Sequence, residues 1–312
     1  MMRKTILVGL VVLGTVLGTK VVQATDVSGN VSGNWILAGS PYIVTANATV
    51  QNGATLIIDP SVEVRFAQNT SLIVFGTLTA IGNLSSTITF TASSTTPSAG
   101  FWQNIGFSGS GANGKISYCE IKYAKQAVYL GNTSGIVITN NFIHDNKGND
   151  GAAASPGQVG CGIYLSSSTN ITISNNTISS NTGGSGGGGG STVSGGAGGI
   201  GCGIYLSFST NNTIFQNTIL NNQGGSGASG FYSGSGGQGG MSCGIYLSSS
   251  TNNTIQQNFL SNNQGGTGGG YGQGAPGEPG NGYGIYIEQN SLNNMIEPSN
   301  TYNGEPMNLS HK

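Results

Sequence analysis

One block of sequence recurs along the C-terminal half of the chain with little change. The copies GIYLSSSTNITISNNTISSN, GIYLSFSTNNTIFQNTILNN and GIYLSSSTNNTIQQNFLSNN begin at Gly162, Gly203 and Gly244, so consecutive copies lie 41 residues apart. A looser copy, GIYIEQNSLNNMI, begins at Gly284. A fixed period of this length is typical of proteins in which each repeat is one structural unit stacked on its neighbours. We therefore predict one elongated domain rather than separate globular domains.

Within each repeat the apolar residues alternate with polar ones over short runs. In the first copy Cys161, Ile163 and Leu165 form one run, and Ile171 and Ile173 form another. A period of two predicts short β-strands with the apolar side chains facing inward. One coil of such strands buries too little apolar area to offset the entropy lost when its backbone is ordered. Stable folding therefore requires that the coils stack.

The pattern GIxLxxSxNNTIxxNxIxxN, with asparagine at the corners, resembles the right-handed parallel β-helix repeats of the pectin-lyase-like superfamily. The segments FWQNIGFSGS and ISYCEIKYAKQAVYL resemble the entry coils of secreted members. The resemblance implies an all-β fold, a single-stranded right-handed parallel β-helix with Gly-rich loops inserted at one corner of successive coils. It does not imply an activity, because this superfamily contains lyases, hydrolases, epimerases and adhesins.

The beginning of the chain has the pattern of a secretory signal peptide. Residues 1–24 combine a basic start with an apolar run from Ile6 to Leu17, and cleavage is expected after Ala24. The apolar run is shorter than a membrane-spanning helix requires. We therefore predict a secreted, extracellular or cell-surface protein, with the periplasm as an alternative, and no membrane span after cleavage.

The mature chain, residues 25–312, is then predicted to form the β-helix. Residues 25–115 would form an N-terminal cap and entry coils, residues 116–302 the repeat coils, and residues 303–312 a C-terminal tail.

Charge is scarce and unevenly distributed. The formal net charge is −1, and no Asp, Glu, Lys, Arg or His occurs from Gly151 to Gly277. That stretch cannot perform general acid–base chemistry, and the balance of charges offers no footprint for nucleic acid. Its surface groups hydrogen-bond or stack with neutral polar partners such as sugars. The partners predicted are a polysaccharide or cell-surface glycan, or a second copy of the chain.

Alignment of the repeats places equivalent side chains in columns along the stack. Amide side chains in register can hydrogen-bond from coil to coil and stabilise the turns. We predict two asparagine ladders, one formed by Asn141, Asn176, Asn217 and Asn258 and one by Asn146, Asn181, Asn222 and Asn263.

Cys161, Cys202 and Cys243 form a third column. Side chains in register on parallel strands point the same way, which suits disulfide geometry poorly. Buried free thiols are therefore favoured over disulfides, and the spacing matches no zinc motif. No metal or other cofactor is predicted.

A column of tyrosines lies one place along from inward aliphatic residues, so its rings should point outward as an exposed aromatic stripe. Such a stripe would either bind substrate by stacking on a polysaccharide or stabilise the sheet by mutual stacking of its rings. The residues are Tyr129, Tyr164, Tyr205, Tyr246 and Tyr286.

Glycine-rich segments follow Asn181, Gln223 and Gln264, all at the same corner of the coil. Their composition favours flexible linkers, and the alternative is an ordered stack of extended glycine strands.

One charged patch has residues suited to catalysis. Glu120, Lys122 and Lys125 align with Phe142, His144 and Lys147 on the next coil, so that Lys122 and His144 should be stacked neighbours. β-Helix lyases and hydrolases use carboxylates and bases on an outward strand face. A solvated face is nevertheless the favoured interpretation. The candidate catalytic residues are Glu120, Lys122, Lys125, His144, Asp145, Lys147 and Asp150.

These observations predict a secreted structural or adhesive surface protein that binds carbohydrate through a neutral polar, Tyr-lined β-helix surface. Two alternatives remain open. One is a polysaccharide lyase or glycoside hydrolase that acts at the 120–150 charged patch. The other is an extracellular protein that assembles with itself through its Gly-rich loops.

Overall fold

The chain winds as a right-handed parallel β-helix. The computed structural model describes residues 24–271, 273–303, 305–306 and 309–311. The predicted signal peptide, residues 1–24, lies outside them apart from Ala24. In the described part of the chain, no helix combines the length and hydropathy needed to cross a bilayer.

The described residues form 28 strands and one short 3₁₀ helix, Leu37–Gly39. The entry strands are β1 (Thr25–Asn30), β2 (Gly33–Trp35), β3 (Tyr42–Val50), β4 (Thr55–Ile58), β5 (Glu63–Phe66), β6 (Leu72–Val74), β7 (Thr77–Ile81), β8 (Ile88–Ala92) and β9 (Ile105–Ser108). The middle strands are β10 (Asn113–Ser117), β11 (Cys119–Lys122), β12 (Gln126–Gly131), β13 (Val137–Thr139), β14 (Phe142–His144), β15 (Gly160–Ser166), β16 (Thr172–Ser174) and β17 (Thr177–Ser179). The C-terminal strands are β18 (Gly201–Ser207), β19 (Thr213–Phe215), β20 (Thr218–Leu220), β21 (Ser242–Ser248), β22 (Thr254–Gln256), β23 (Phe259–Ser261), β24 (Gly282–Ile287), β25 (Met295–Ile296), β26 (Thr301–Tyr302), β27 (Glu305–Pro306) and β28 (Leu309–His311).

From β4 onward each coil contributes one strand to each of three faces, whereas the long strand β3 runs across two of them. We call the face that contains β12, β15, β18 and β21 face 1, and the face that contains β11, β14, β17 and β20 face 3. Face 2, between them in the chain, is a nine-stranded sheet that includes β13, β16 and β19. Neighbouring strands within each face are parallel, apart from the β26–β27 pair. Beyond β24, β28 adds a further parallel strand.

The repeats stack residue on residue. Ile163 pairs with Ile204, which pairs with Ile245, so one repeat is one coil. These isoleucines have no exposed surface, and the core runs as one continuous cluster through the coils. At the N-terminal end the core becomes aromatic, and Trp35 stacks on Tyr42 with ring centroids 4.7 Å apart. The predicted fold class is confirmed.

Strict alternation fails at one point in each repeat. Gly162 faces the interior, where a Cβ would approach Ile178 Cγ2 to 2.6 Å. The next residue, Ile163, also faces the core, so Cys161 is turned out of the β-helix. The alternating pattern had placed Cys161 inside the coil, and that expectation is wrong because the backbone is irregular at the glycine.

Asparagine side chains link the coils at the corner between faces 2 and 3. Asn217 Oδ1 accepts hydrogen bonds from the backbone N–H and the side chain of Asn176, both at 3.0 Å. Its amide group donates to Ile173 O at 3.0 Å and to Asn258 Oδ1 at 2.9 Å. Asn141 makes the equivalent contacts with Asn176. Each amide therefore satisfies turn backbone that is buried away from water.

The second column, which follows face 3, repeats the bonds from amide to amide. Side-chain amides donate along it from Asn146 to Asn181 at 2.8 Å, and from Asn181 to Asn222 and Asn222 to Asn263 at 2.9 Å. At its end, the buried Asn263 Nδ2 has no partner within the described residues.

The corner between faces 1 and 2 carries further ladders that the repeat alignment did not single out. Asn212 Oδ1 accepts from Ile171 N–H, and its amide donates to Asn253 Oδ1, both at 2.9 Å. A serine column accompanies it. There the backbone N–H of Ser168 donates to Ser209 Oγ at 3.1 Å. The Asn at this position lies in the NNT sequence of two repeats, which could have shown it.

The glycine-rich segments form an ordered layered structure, which we call the glycine fin: residues 148–159, 183–200, 224–241, 265–271 and 273–281. Donors recur every third residue, since Gly183, Gly186 and Gly189 donate to the layer above at 2.9, 2.8 and 3.0 Å. Each layer leaves the β-helix and then returns to it as a second extended segment, which we call its returning strand. Gly184 and Gly187 donate instead to the returning strand of the layer below. This period of three matches the polyproline II helix. The expectation of flexible linkers is therefore wrong, because extended glycine backbones satisfy one another.

The last layer of the fin lacks donors at two positions. In the third layer Gly236 and Gly239 donate to carbonyl oxygens of the fourth layer at 2.8 Å. The equivalent residues of the fourth layer are Pro276 and Pro279. Because proline has no N–H, this edge presents no unpaired donor at those positions.

Replacing Asn217 by Ala tests the contribution of the ladder. The substitution leaves Asn176 N–H without its buried acceptor and removes one hydrogen bond each from the side chains of Asn176 and Asn258, so we expect a loss of about 2–4 kcal/mol in the free energy of unfolding. Gln216→Ala is the control, because the exposed Gln216 makes only an amide contact with Gln257 at the same corner. Denaturant unfolding measures both, and equal stabilities would contradict the argument.

Replacing Gly198 by Ala tests the packing of the fin. A Cβ at Gly198 would lie 1.8 Å from Gly225 O, so adjacent layers must separate. At Gly188 a Cβ meets nothing within 4 Å. Hydrogen exchange should show fin amides losing protection by at least about ten-fold in Gly198→Ala and keeping it in Gly188→Ala. Equal protection in the two variants would show that the layers are not packed in this way.

Candidate functional site

The charged patch lies on the outer side of face 3, where β11 stacks on β14. Lys122 pairs with His144, and Glu120 pairs with Phe142, so the predicted register is confirmed. Because the strands alternate, Ile121 and Ile143 point into the core while the polar residues point out.

Four of the predicted catalytic residues form one cluster. Glu120 Oε1 accepts from Lys122 Nζ at 2.8 Å and lies 3.2 Å from His144 Nε2. The other ring nitrogen, His144 Nδ1, lies 2.8 Å from Asp145 Oδ2. With a carboxylate at each nitrogen, the protonated imidazole donates two hydrogen bonds. The Phe142 ring stacks on His144 with centroids 3.9 Å apart.

These contacts shift the protonation of both partners. Partial burial alone would lower the pKa of His144, but the hydrogen bonds to Glu120 and Asp145 outweigh it and raise that pKa above its ordinary value. The hydrogen bond from His144 lowers the pKa of Glu120 to about 2 against the effect of burial, with help from Lys122. The cluster therefore holds an ionised carboxylate beside an imidazolium.

The remaining three candidates lie apart from this cluster. Lys125 Nζ donates to Asn69 Oδ1 at 2.7 Å. Lys147 Nζ lies 2.7 Å from Asp150 Oδ1 at the base of the glycine fin. Asp150 also accepts the N–H of Ser185 at 2.7 Å, so it joins two layers of the fin.

A cleft of about 500 Å³ lies beside the cluster on the outer side of face 3. We call it the hydroxyl cleft. It is bordered by Lys122 and by the ion pair between Glu63 and Arg65, whose charged atoms are 2.8 Å apart. Most of the other lining side chains carry hydroxyl groups, among them Thr89, Thr91, Ser94, Thr95 and Tyr123.

The sequence interpretation did not include the hydroxyl cleft. Glu63-Val64-Arg65 on β5 has the same acid–aliphatic–base pattern as Glu120-Ile121-Lys122 on β11. Thr89 on β8 pairs with both Glu63 and Glu120, so the two motifs lie on one outer face with a single strand between them. A search for that short motif outside the long repeat would have revealed the site.

The tyrosine column lies on the outer side of face 1, but it is not an exposed stripe. Neighbouring rings stack with centroids 4.6–5.7 Å apart and planes 4–23° apart, so they cover one another's faces. Tyr246 and Tyr286 are only 4% exposed, and Tyr129, Tyr164 and Tyr205 are partly buried. The expected exposure is wrong because aromatic side chains in register stack on each other.

Part of the glycine fin packs against this column. The buried cysteines Cys161, Cys202 and Cys243 lie beside the tyrosines on the same strands, in a second apolar cluster outside the β-helix. Residues at the base of the returning fin strands, Ile200 and Met241 among them, pack against it. All four cysteines of the chain are free and buried, and burial raises the pKa of Cys161 and Cys202.

Comparison with known proteins agrees with this architecture. The family model described as "Right handed beta helix region" matches residues 50–307. No curated protein sequence matches the chain. The chain belongs to the right-handed β-helix family, and the resemblance drawn from its repeats is confirmed.

Several solved structures are similar at low identity. A periplasmic alginate epimerase shares 16% identity with a TM-score of 0.40, over 83% of this chain and 62% of its own. The Dettilon tailspike protein shares 13% identity with a TM-score of 0.34, over 86% and 62%. An alginate lyase from Paenibacillus sp. shares 10% identity with a TM-score of 0.29, over 84% and 93%. The chain thus spans less than two thirds of the first two proteins.

Replacing His144 by Gln should remove a pH-dependent part of the stability. Because the pKa of His144 is raised in the folded state, its stabilisation is complete below the ordinary value of 6.5 and is lost as the pH rises through the raised value. Glu120, with a pKa of about 2, keeps its charge throughout that range. Thermal unfolding should therefore separate wild type from His144→Gln more at about pH 5.5 than at about pH 9. A pH-independent difference would contradict the proposed contacts.

Proposed function

We propose that the protein is a secreted structural or adhesive β-helix that binds carbohydrate in the hydroxyl cleft of face 3. The observation that carries the proposal is the lining of that cleft. Threonine, serine and tyrosine hydroxyls there lie beside paired acidic and basic side chains. Sugars present alternating hydroxyl donors and acceptors, which such a lining matches.

The charges of the cleft favour a neutral glycan over a polyanion. Arg65 is paired with Glu63 at 2.8 Å, and Lys122 with Glu120 at 2.8 Å. Each cation that could bind a uronate is therefore already neutralised, and a polyanion would have to compete with a carboxylate of the protein. A sugar hydroxyl can donate to the carboxylate and accept from the cation while the pair remains intact.

The proposed contact surface, the hydroxyl cleft, differs from the tyrosine stripe predicted from the sequence. Sugar binding through the tyrosine stripe requires open ring faces, and the rings of Tyr164, Tyr205 and Tyr246 are covered on both sides by their neighbours. In the hydroxyl cleft, Tyr123 lies outside that column. Lys122 Nζ lies 5.9 Å from the centre of its ring.

A polysaccharide lyase or hydrolase is the second candidate, and one observation favours it. His144 is held between two carboxylates at 2.8 and 3.2 Å, next to a cleft. The raised pKa of His144 suits proton donation to a leaving group better than proton abstraction.

Self-assembly through the Gly-rich loops has less support. The glycine backbone groups that would join two copies are used within the glycine fin. The prolines of the last layer also argue against self-assembly, because they offer no N–H there to a second copy.

Replacing Thr89 by Val tests glycan binding. The change keeps the shape of the side chain and removes one cleft hydroxyl, so affinity should fall by about three- to ten-fold. Calorimetry with cellohexaose, mannohexaose and xylohexaose, compared with hexaguluronate, measures it. Thr218→Val is the matched control, because Thr218 lies in the same outward column of face 3 but outside the cleft.

The same experiment separates the candidates. Binding of a neutral hexasaccharide without release of reducing ends supports the binding protein. Turnover that is lost in His144→Gln supports the enzyme. If no oligosaccharide of the set binds to wild type, the proposed function is wrong.

A further inference from the structure

A second depression lies at the corner between faces 2 and 3, on the other side of the charged cluster. We call it the corner pocket. Its volume is about 680 Å³. Glu120 lines the corner pocket, while its partner Lys122 lines the hydroxyl cleft. The Glu120–Lys122 ion pair is therefore the ridge between two depressions of one surface. The other side chains used below are Leu84, Tyr118, Asn140, Phe142 and Asn175.

The corner pocket offers an aromatic surface. Phe142 is 43% exposed, although His144 covers one face of its ring. The uncovered side of the ring is therefore open to the pocket that it lines. Across the pocket, Leu84 is 87% exposed on the turn after β7. Apolar C–H surfaces of a sugar ring pack against such side chains, while its hydroxyls stay in reach of polar groups.

The polar groups of the corner pocket come from the corner itself. Tyr118, Asn140 and Asn175 have positive φ angles of 52°, 56° and 54°. This left-handed conformation lets the following residue point inward to the ladder while the corner residue points outward. In the next two coils, the equivalent residues Gln216 and Gln257 bond to each other at 2.9 Å.

The amides that line the corner pocket are less occupied. Asn140 Nδ2 donates only within its own coil, to Thr139 Oγ1 at 3.2 Å. The Asn175 side chain makes no hydrogen bond with any of the described residues. These amides and the Glu120 carboxylate retain donors and acceptors for a ligand, which favours a sugar over an apolar peptide.

We propose that the corner pocket is a second sugar subsite and that one neutral glycan chain crosses the ridge to occupy both depressions. This inference rests on the proposed function of the hydroxyl cleft. Cys119 lines the corner pocket and Lys122 the hydroxyl cleft, and these two residues are about 10 Å apart along β11. A disaccharide fills one depression, whereas a hexasaccharide reaches both.

Replacing Phe142 by Ala, with oligosaccharides of two lengths, tests this subsite. Affinity for cellohexaose, mannohexaose or xylohexaose, whichever wild type binds, should fall by about ten-fold. Affinity for the corresponding disaccharide, held in the hydroxyl cleft, should stay unchanged. Phe259→Ala is the matched control, since Phe259 is 39% exposed in the same column of face 3 but lies outside the pocket.

A second variant guards against a folding defect in Phe142→Ala. Asn175→Gly keeps the left-handed corner and removes only the amide, and it should weaken hexasaccharide binding while the melting temperature is retained. The second subsite would be overturned if the affinities for the disaccharide and the hexasaccharide fell equally, or if the hexasaccharide affinity were unchanged in both variants. Neither result would contradict glycan binding in the hydroxyl cleft. If wild type binds none of these oligosaccharides, both this inference and the proposed function are wrong. If the corner pocket takes only apolar peptides, this inference is wrong.

Discussion

Hydrogen bonding along the axis, between identical positions of successive coils, is the constraint on which the structure depends. The corner amides show why it cannot be relaxed. Asn217 is 1% exposed and bonds to the coils before and after it. If the coils slipped by one residue, every such amide would be buried without a partner, at a cost of about 1–3 kcal/mol each. The same slip would turn the core isoleucines toward solvent. Polar and apolar columns therefore enforce one register.

The same constraint extends beyond the β-helix into the glycine fin. Because each fin layer leaves from one corner of an aligned coil, the layers arrive side by side without further adjustment. Two of every three residues then face another strand closely enough that a Cβ does not fit, as at Gly198 and Gly225. Composition suggested flexibility because glycine lacks side-chain contacts. The order comes from the backbone hydrogen bonds that the absence of side chains permits.

Most of the fold could be predicted from the sequence, because the repeat reports the register directly. The pairing of Lys122 with His144 followed from the same alignment. The errors have local causes. Alternation failed at Gly162, where an inward glycine displaces Cys161 to the outside. The prediction that the tyrosines are exposed was wrong because strand alternation considers one strand at a time, whereas each ring stacks on the ring of the next coil. The hydroxyl cleft was missed because Glu63, Arg65 and Thr89 belong to entry coils outside the long repeat.

The position of the hydroxyl cleft outside the long repeat has a physical reason. On face 1 and at the corners of the repeat coils each column holds nearly the same residue, so the stacked tyrosines and amides there contact their own copies on the neighbouring coils. A site that binds a chemically varied ligand needs unlike groups at adjacent positions of a column. Face 3 provides acidic, hydroxyl and aromatic groups side by side where the entry coils meet the first repeats, with Glu63, Thr89, Glu120 and Phe142 in one outward column. The regular coils and the fin then serve as the rigid support of that surface.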